Sequence, residues 1–261
     1  MPNADELLRA GDLDGARAAL VETVRTEPAN VQARMFLFQF LALAGEWDKA
    51  RRQLATIAQM SGEAQMLAMA YGQAIDAEAE RAQVFSGAVK ARQHVESEWA
   101  NGVIDAIHHF ANGRISEGDD ARGAAFDAAP DTPGELDGEA FEWIADADGR
   151  FGPCFEAIIA GKYGIQPFDQ VETIKSEGAR DLRDILWFPV QIAFKSGQSV
   201  AAMLPARYPG TELSDRIDEK LTKATSWIDQ DWGQSGVGQH LWSLSTENEH
   251  GLLSLRTLSF T

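Results

Sequence analysis

The chain has 261 residues, 44% of them apolar, enough for a buried core, and its formal net charge of −17 argues against a nucleic-acid partner or an anionic membrane surface. The longest apolar run, Met35 to Ala44, is interrupted by Gln39 and is far below the roughly 18 residues a membrane span needs. The opening "MPNADELLRAG" is charged in its first turn and lacks a secretory apolar region, and a single cysteine permits no internal disulfide, so a cytoplasmic protein is expected.

The first half repeats. "GDLDGARAAL" from Gly11 and "GEWDKARRQL" from Gly45 lie 34 residues apart and share five identities in ten positions, including Asp14/Asp48, Ala16/Ala50, Arg17/Arg51 and Leu20/Leu54. That period belongs to tetratricopeptide-type helical hairpins, in which glycine ends one helix and a small alanine admits the next. Asn30 is positioned to cap a helix running to about Ala44, with Gly45 just past its end. Val31, Met35, Phe38 and Leu41 form one apolar stripe of that helix and Phe36, Phe40 and Leu43 another, the pattern of a helix sandwiched between neighbours. Its aromatic residues suit a core, with a peptide groove as the other use. Helical patterning continues through "GEAQMLAMAYGQAIDAEAERAQVF" and "ESEWANGVIDAIHHFANG" while the repeat fades, giving five to seven helices between Ala4 and Ala129.

"DAAPDTPGELDG", Asp127 to Gly138, combines Pro130, Pro133, Gly134 and Gly138 with acids and marks a boundary. Residues 1–129 are expected to form a TPR-like α-α superhelix and residues 130–261 a mainly antiparallel β (α+β) domain, curled into a small barrel. "FEWIA", "CFEAIIA" and "KYGIQPF" read as short strands, "PVQIAF" and "SVAAML" as a hairpin, and "HLWSLS" and "LLSLRTLSF" as a second hairpin through "TENEHG". "SDRIDEKLTKATSW" reads as one short helix and "WGQSGVGQH" as a flexible loop, since its glycines lack the spacing of a dinucleotide fingerprint.

"EWIADADGRFGPCFEAI" places Asp146, Asp148 and Cys154 together, and three chemistries compete for it. A calcium loop starting at Asp146 would put Arg150 at position 5, Phe151 at the glycine position and Ala157 at the bidentate glutamate position, and fails at all three. A magnesium site would lack a G-x-x-x-x-G-K-[ST] loop to serve. A Cys154 nucleophile would need activation by His94, His108, His109, His240 or His250, yet it sits in a strand pattern poor in basic residues. Adjacent His108 and His109 point apart on a helix and do not make an i, i+4 zinc pair. The third reading makes Asp146 and Asp148 Asx-turn residues between two strands, with Arg150 as a local counter-charge. The seven tryptophans are scattered and suit core anchors or a protein interface. No catalytic, cofactor or metal residue is assigned, and no partner-binding residue is marked.

The run from Asp137 to Pro153, D-G-x-x-F-x-W-I-x-D-A-D-x-R-x-G-P, followed by "DLRDILWFPVQIAF" and "AMLPARYPGTE", resembles the ImpE/SciE-type (TagJ-like) accessory proteins of bacterial type VI secretion systems. The resemblance covers the second half and extends loosely through the first. It implies a non-enzymatic cytoplasmic adaptor that associates with the N-terminal helical segment of the small subunit of the contractile sheath and so touches sheath assembly or its ATPase-driven disassembly. Cys154 departs from the family pattern, where an aliphatic residue is usual. The rival readings are a metal-dependent enzyme centred on Asp146 and Asp148 and a TPR-like adaptor unrelated to secretion.

Overall fold

Seven helices precede the first strand in the computed structural model, which describes residues 3–60 and 62–261. They are α1 (Ala4–Arg9), α2 (Leu13–Thr26), α3 (Val31–Leu43), α4 (Trp47–Ala58), α5 (Gly62–Phe85), α6 (Ala100–Ala111) and α7 (Ile115–Ala128). Local chemistry explains their ends. The Asn30 side chain accepts from the Ala33 N–H at 2.9 Å at the start of α3, and Gly11 and Gly45 end α1 and α3 with φ of 78° and 70°, where only glycine is unstrained. The repeated Ala16 and Ala50 are both fully buried, which lets consecutive helices approach closely. No helix among the described residues is long and apolar enough to cross a membrane.

An antiparallel β region follows: β1 (Gly134–Leu136), β2 (Glu139–Phe141), β3 (Ile144–Asp146), β4 (Cys154–Ile159), β5 (Lys162–Pro167), β6 (Val171–Lys175), β7 (Trp187–Phe194) and β8 (Ser199–Pro205). Then come a single helical turn, α8 (Ile217–Lys220), and β9 (Thr225–Gln230), β10 (Gly233–Gly238), β11 (Leu241–Leu244), β12 (Glu249–Gly251) and β13 (Thr257–Phe260). Eight strands form one sheet in the order β2-β1-β13-β6-β7-β8-β4-β5. The expected barrel does not close, because the terminal strands β2 and β5 do not pair with each other. The β5 edge is instead covered by the chain before α6, where the Ile165 N–H donates to the Arg92 carbonyl at 2.9 Å.

Three local expectations are corrected. The segment read as one helix keeps only the turn of α8, and its end, Thr225 to Trp227, opens β9. The glycine-rich stretch read as a loop is β10, paired with β9 in the register Gly236↔Trp227. Its glycines admit a neighbour, since a Cβ on Gly236 would lie 2.3 Å from the Tyr208 ring. Of the second hairpin, β11 pairs with β12, which is the second half of the stretch "TENEHG" read as a loop. The remainder, β13, leaves for the large sheet, where it joins β1 and β6.

Two apolar clusters hold the molecule. One is confined to the β region, around Phe155, Phe168, Phe188 and Trp242. The other crosses the helix-to-strand junction, joining Phe38, Leu41, Leu54, Ala74 and Ile107 of the helices to Phe151, Ile158, Tyr163, Trp187 and Tyr208. At that seam Trp187 packs against Trp47 and Tyr71 with ring centroids 6.0 and 5.8 Å apart.

Candidate functional site

Asp146 and Asp148, the carboxylates that raised the metal reading, are 4% and 0% exposed, and protein donors take all four of their oxygens. Asp146 Oδ1 accepts from the Asp148 N–H at 2.9 Å and the Tyr208 hydroxyl at 2.9 Å, and its Oδ2 faces His240 Nδ1 at 2.7 Å. Asp148 Oδ1 accepts from the Arg150 N–H at 3.0 Å, while Oδ2 takes Arg150 Nη2 at 2.5 Å and the Gly236 N–H at 2.9 Å. The Asx turns and the Arg150 counter-charge are therefore present, and the acids spend their lone pairs on folding the 144–154 corner. Among the described residues no group of three or more His, Cys, Asp and Glu is arranged to hold a metal ion.

The network continues inward. His240 Nε2 lies 2.8 Å from Glu156 of β4, which also accepts from the Tyr163 hydroxyl at 2.7 Å and, through both oxygens, from Arg81 of α5 at 2.7 and 2.6 Å. Arg81 Nη2 also donates to the Arg207 carbonyl at 2.7 Å, and Arg207 Nη1 donates to the Leu43 carbonyl at 3.0 Å. A carboxylate at each ring nitrogen favours the doubly protonated, charged imidazole of His240. Burial opposes that charge, but Asp146 and the hydrogen bonds to Asp146 and Glu156 outweigh it and raise His240 to about 9. Glu156 is likewise opposed by burial, yet the charge of Arg81 and the hydrogen bonds from His240 and Arg81 hold it well below the usual carboxylate range. The chain Asp146–His240–Glu156–Arg81 ties β3, β4 and the link between β10 and β11 to the second half of α5, and every member is under a tenth exposed.

Cys154 is fully buried at the start of β4, and burial pushes its thiol well above the ordinary value, the reverse of what a nucleophile needs. The histidines are engaged elsewhere: His94 Nε2 is 3.3 Å from the Ala157 carbonyl oxygen and His250 Nε2 is 2.9 Å from Glu139. His108 and His109 sit in the last turn of α6. Sequence reasoning missed Arg81, Glu156, Tyr163, Tyr208 and Arg207. Its one available signal was Arg81 and Glu156, charges in otherwise apolar helix and strand faces.

A second feature is open to solvent. A groove of about 630 Å³ runs between the helices and the segment joining β6 to β7, lined by Leu8 of α1, Val31, Met35 and Phe36 of α3, and Leu182 and Ile185. The expectation that α3 is sandwiched holds for Phe38, Phe40, Leu41 and Leu43, which are buried. It fails at the helix start, where Val31, Met35 and Phe36 are only partly covered and face the groove.

Comparison with known proteins settles the lineage. A curated relative, "Type VI secretion system accessory component TagJ" of Pseudomonas aeruginosa, is 38% identical over 260 residues, covering 98% of this chain and 90% of that protein. The family model described as "ImpE protein" matches residues 138–259. The chain belongs to the ImpE family. A tetratricopeptide repeat model matches residues 7–74, from within α1 into the first half of α5. The fold of this ImpE-family chain is also that of a crystal structure of a Vibrio parahaemolyticus protein, with a TM-score of 0.88 over 99% of this chain and 97% of that one at 18% identity.

Proposed function

We propose that this chain is a non-enzymatic, cytoplasmic accessory adaptor of a type VI secretion system that binds the N-terminal helical segment of the small sheath subunit through its TPR-like region and thereby influences sheath assembly or disassembly. The observation that carries the reading is the open apolar groove beside α1 and α3 in a tetratricopeptide-type array, a class of scaffold that docks amphipathic helices by their apolar anchors. The family relationship and the printed role of the Pseudomonas relative support it. The buried acids weigh against the enzyme reading, since their oxygens are already committed to protein donors.

Calorimetric titration of the purified chain with the small sheath subunit, intact and lacking its N-terminal helix, tests the proposal. Binding of the intact form only is expected; equal binding of both forms rejects helix capture.

A further inference from the structure

A pocket of about 230 Å³ opens where the end of α5, the second half of α6, the corner at Arg150 and the β9–β10 hairpin meet. Phe85 and Phe110 line it from the helices, Arg150 from the corner, and Gln230, Trp232 and Ser235 from the hairpin. In a chain of net charge −17, no carboxylate lines this pocket among the described residues, and its one formal charge is the Arg150 guanidinium.

Arg150 is firmly held but used on one side only. Its Nε and Nη2 take Asp148 in a two-point pair at 2.9 and 2.5 Å, and its guanidinium carbon lies 5.3 Å from the ring centroids of both Phe85 and Trp232. Trp232 is fixed in turn by stacking on Phe110, with centroids 5.2 Å apart and planes at 25°. Nη1 donates to no group among the described residues, and it is not one of their buried unpaired side-chain atoms, so it is open to the pocket that Arg150 lines. Each Nη carries two hydrogens, so the Nη1–Nη2 edge keeps two parallel N–H groups, the fork that receives both oxygens of a carboxylate. The Ser235 hydroxyl accepts from Gln230 at 3.2 Å and has its own proton unspent among the described residues, a further donor in the same lining.

We propose that this pocket binds a small planar monocarboxylate, with its two oxygens on the Nη1–Nη2 edge of Arg150 and its apolar part against Phe110 and Trp232. The stacked rings fix the guanidinium plane before the ligand arrives, so little side-chain freedom is lost on binding. The size suits a group no larger than one ring with its acid, since an apolar cavity of about 150 Å³ holds benzene. A single negative charge matches the site, because Asp148 already balances Arg150 and a dianion such as phosphate would bring two charges to one donor edge. The pocket shares no lining residue with the groove beside α1 and α3, so it stands or falls independently of helix capture.

The test titrates the full, isotope-labelled chain with benzoate and follows the Trp232 indole N–H resonance, identified by its loss in Trp232→Phe. Benzoate at millimolar concentrations should shift that resonance saturably, while benzamide, of the same shape and uncharged, should not. Arg150→Lys, which keeps the charge but removes the fork, should weaken benzoate about tenfold. Because that substitution also touches the Asp148 corner, Ser235→Ala provides a second reading: it should weaken benzoate severalfold with circular dichroism unchanged. A tripeptide ending in phenylalanine, with a free or an amidated carboxyl end, separates the sources of the acid. Binding of benzoate and of the free-ended peptide assigns the site to a chain end as well, and binding of benzoate alone assigns it to a free small acid. No saturable shift with benzoate, equal shifts with benzamide, or unchanged affinity in Ser235→Ala and in folded Arg150→Lys overturns the proposal.

Discussion

His240 sits between two carboxylates, and its removal strands both. His240→Ala should cost about 3–5 kcal/mol in urea unfolding, because Asp146 and Glu156 would stay buried with one donor fewer each. The pH dependence follows from the raised value. A group at about 9 in the folded chain and near 6.5 when unfolded contributes stability that is fully present below about pH 6.5. That contribution is lost as pH rises through about 9, and amounts to at most about 3 kcal/mol. Urea midpoints measured from pH 6 to 10 should fall over this window in the native chain and lose that slope in His240→Ala. Cys154 gives a complementary expectation. Its buried, raised thiol should resist a disulfide exchange reagent in the native state and react stoichiometrically once urea unfolds the chain; fast native labelling would reinstate it as a reactive group.

The hairpins rest on short-range chemistry that single substitutions probe. Asn30→Ala removes the acceptor for the Ala33 N–H and should cost about 1 kcal/mol by thermal unfolding. Gly45→Ala should cost about 1–2 kcal/mol, because φ of 70° crowds an L side chain. The added Cβ would also fall 2.9 Å from Glu212 Cγ, forcing that side chain to move. These positions were legible because the residues that determine them lie within a turn of the helix ends, a glycine after an apolar run and an asparagine before one, and the 34-residue period repeats the pattern. The β elements were legible where alternation and a turn coincide, as in β7 and β8, whose register runs from Trp187↔Pro205 to Ala193↔Ser199. They were misread where a tertiary contact overrode local preference. Glycine-poor patterning would have announced β10, but Gly236 is there to receive the Tyr208 ring and Gly238 lies against the Ala224 backbone.

At the level of the molecule, helices and sheet share a core and a chain of buried charge, so we expect them to unfold together even though the composition changes near residue 130. Urea transitions followed by far-ultraviolet circular dichroism and by tryptophan fluorescence should coincide; two separated transitions would show independent units. Arg81→Met should shift both signals together by about 3 kcal/mol, since Glu156 loses its bidentate partner.

The family relationship, the hairpin period, the helix-then-sheet order and the turn at Asp146–Asp148 are all readable in the amino-acid order, because each depends on neighbours a few residues apart or on a contiguous run. Partnerships across the fold are not. Arg81 meets Glu156 across 75 positions and Asp146 meets His240 across 94, and no spacing rule relates such residues. The same limit governs Gln39, which in the sequence is merely a polar break in an apolar stretch. Packing alone placed it in the lining of an open groove, because Leu182 and Ile185 arrive there from more than 140 residues away.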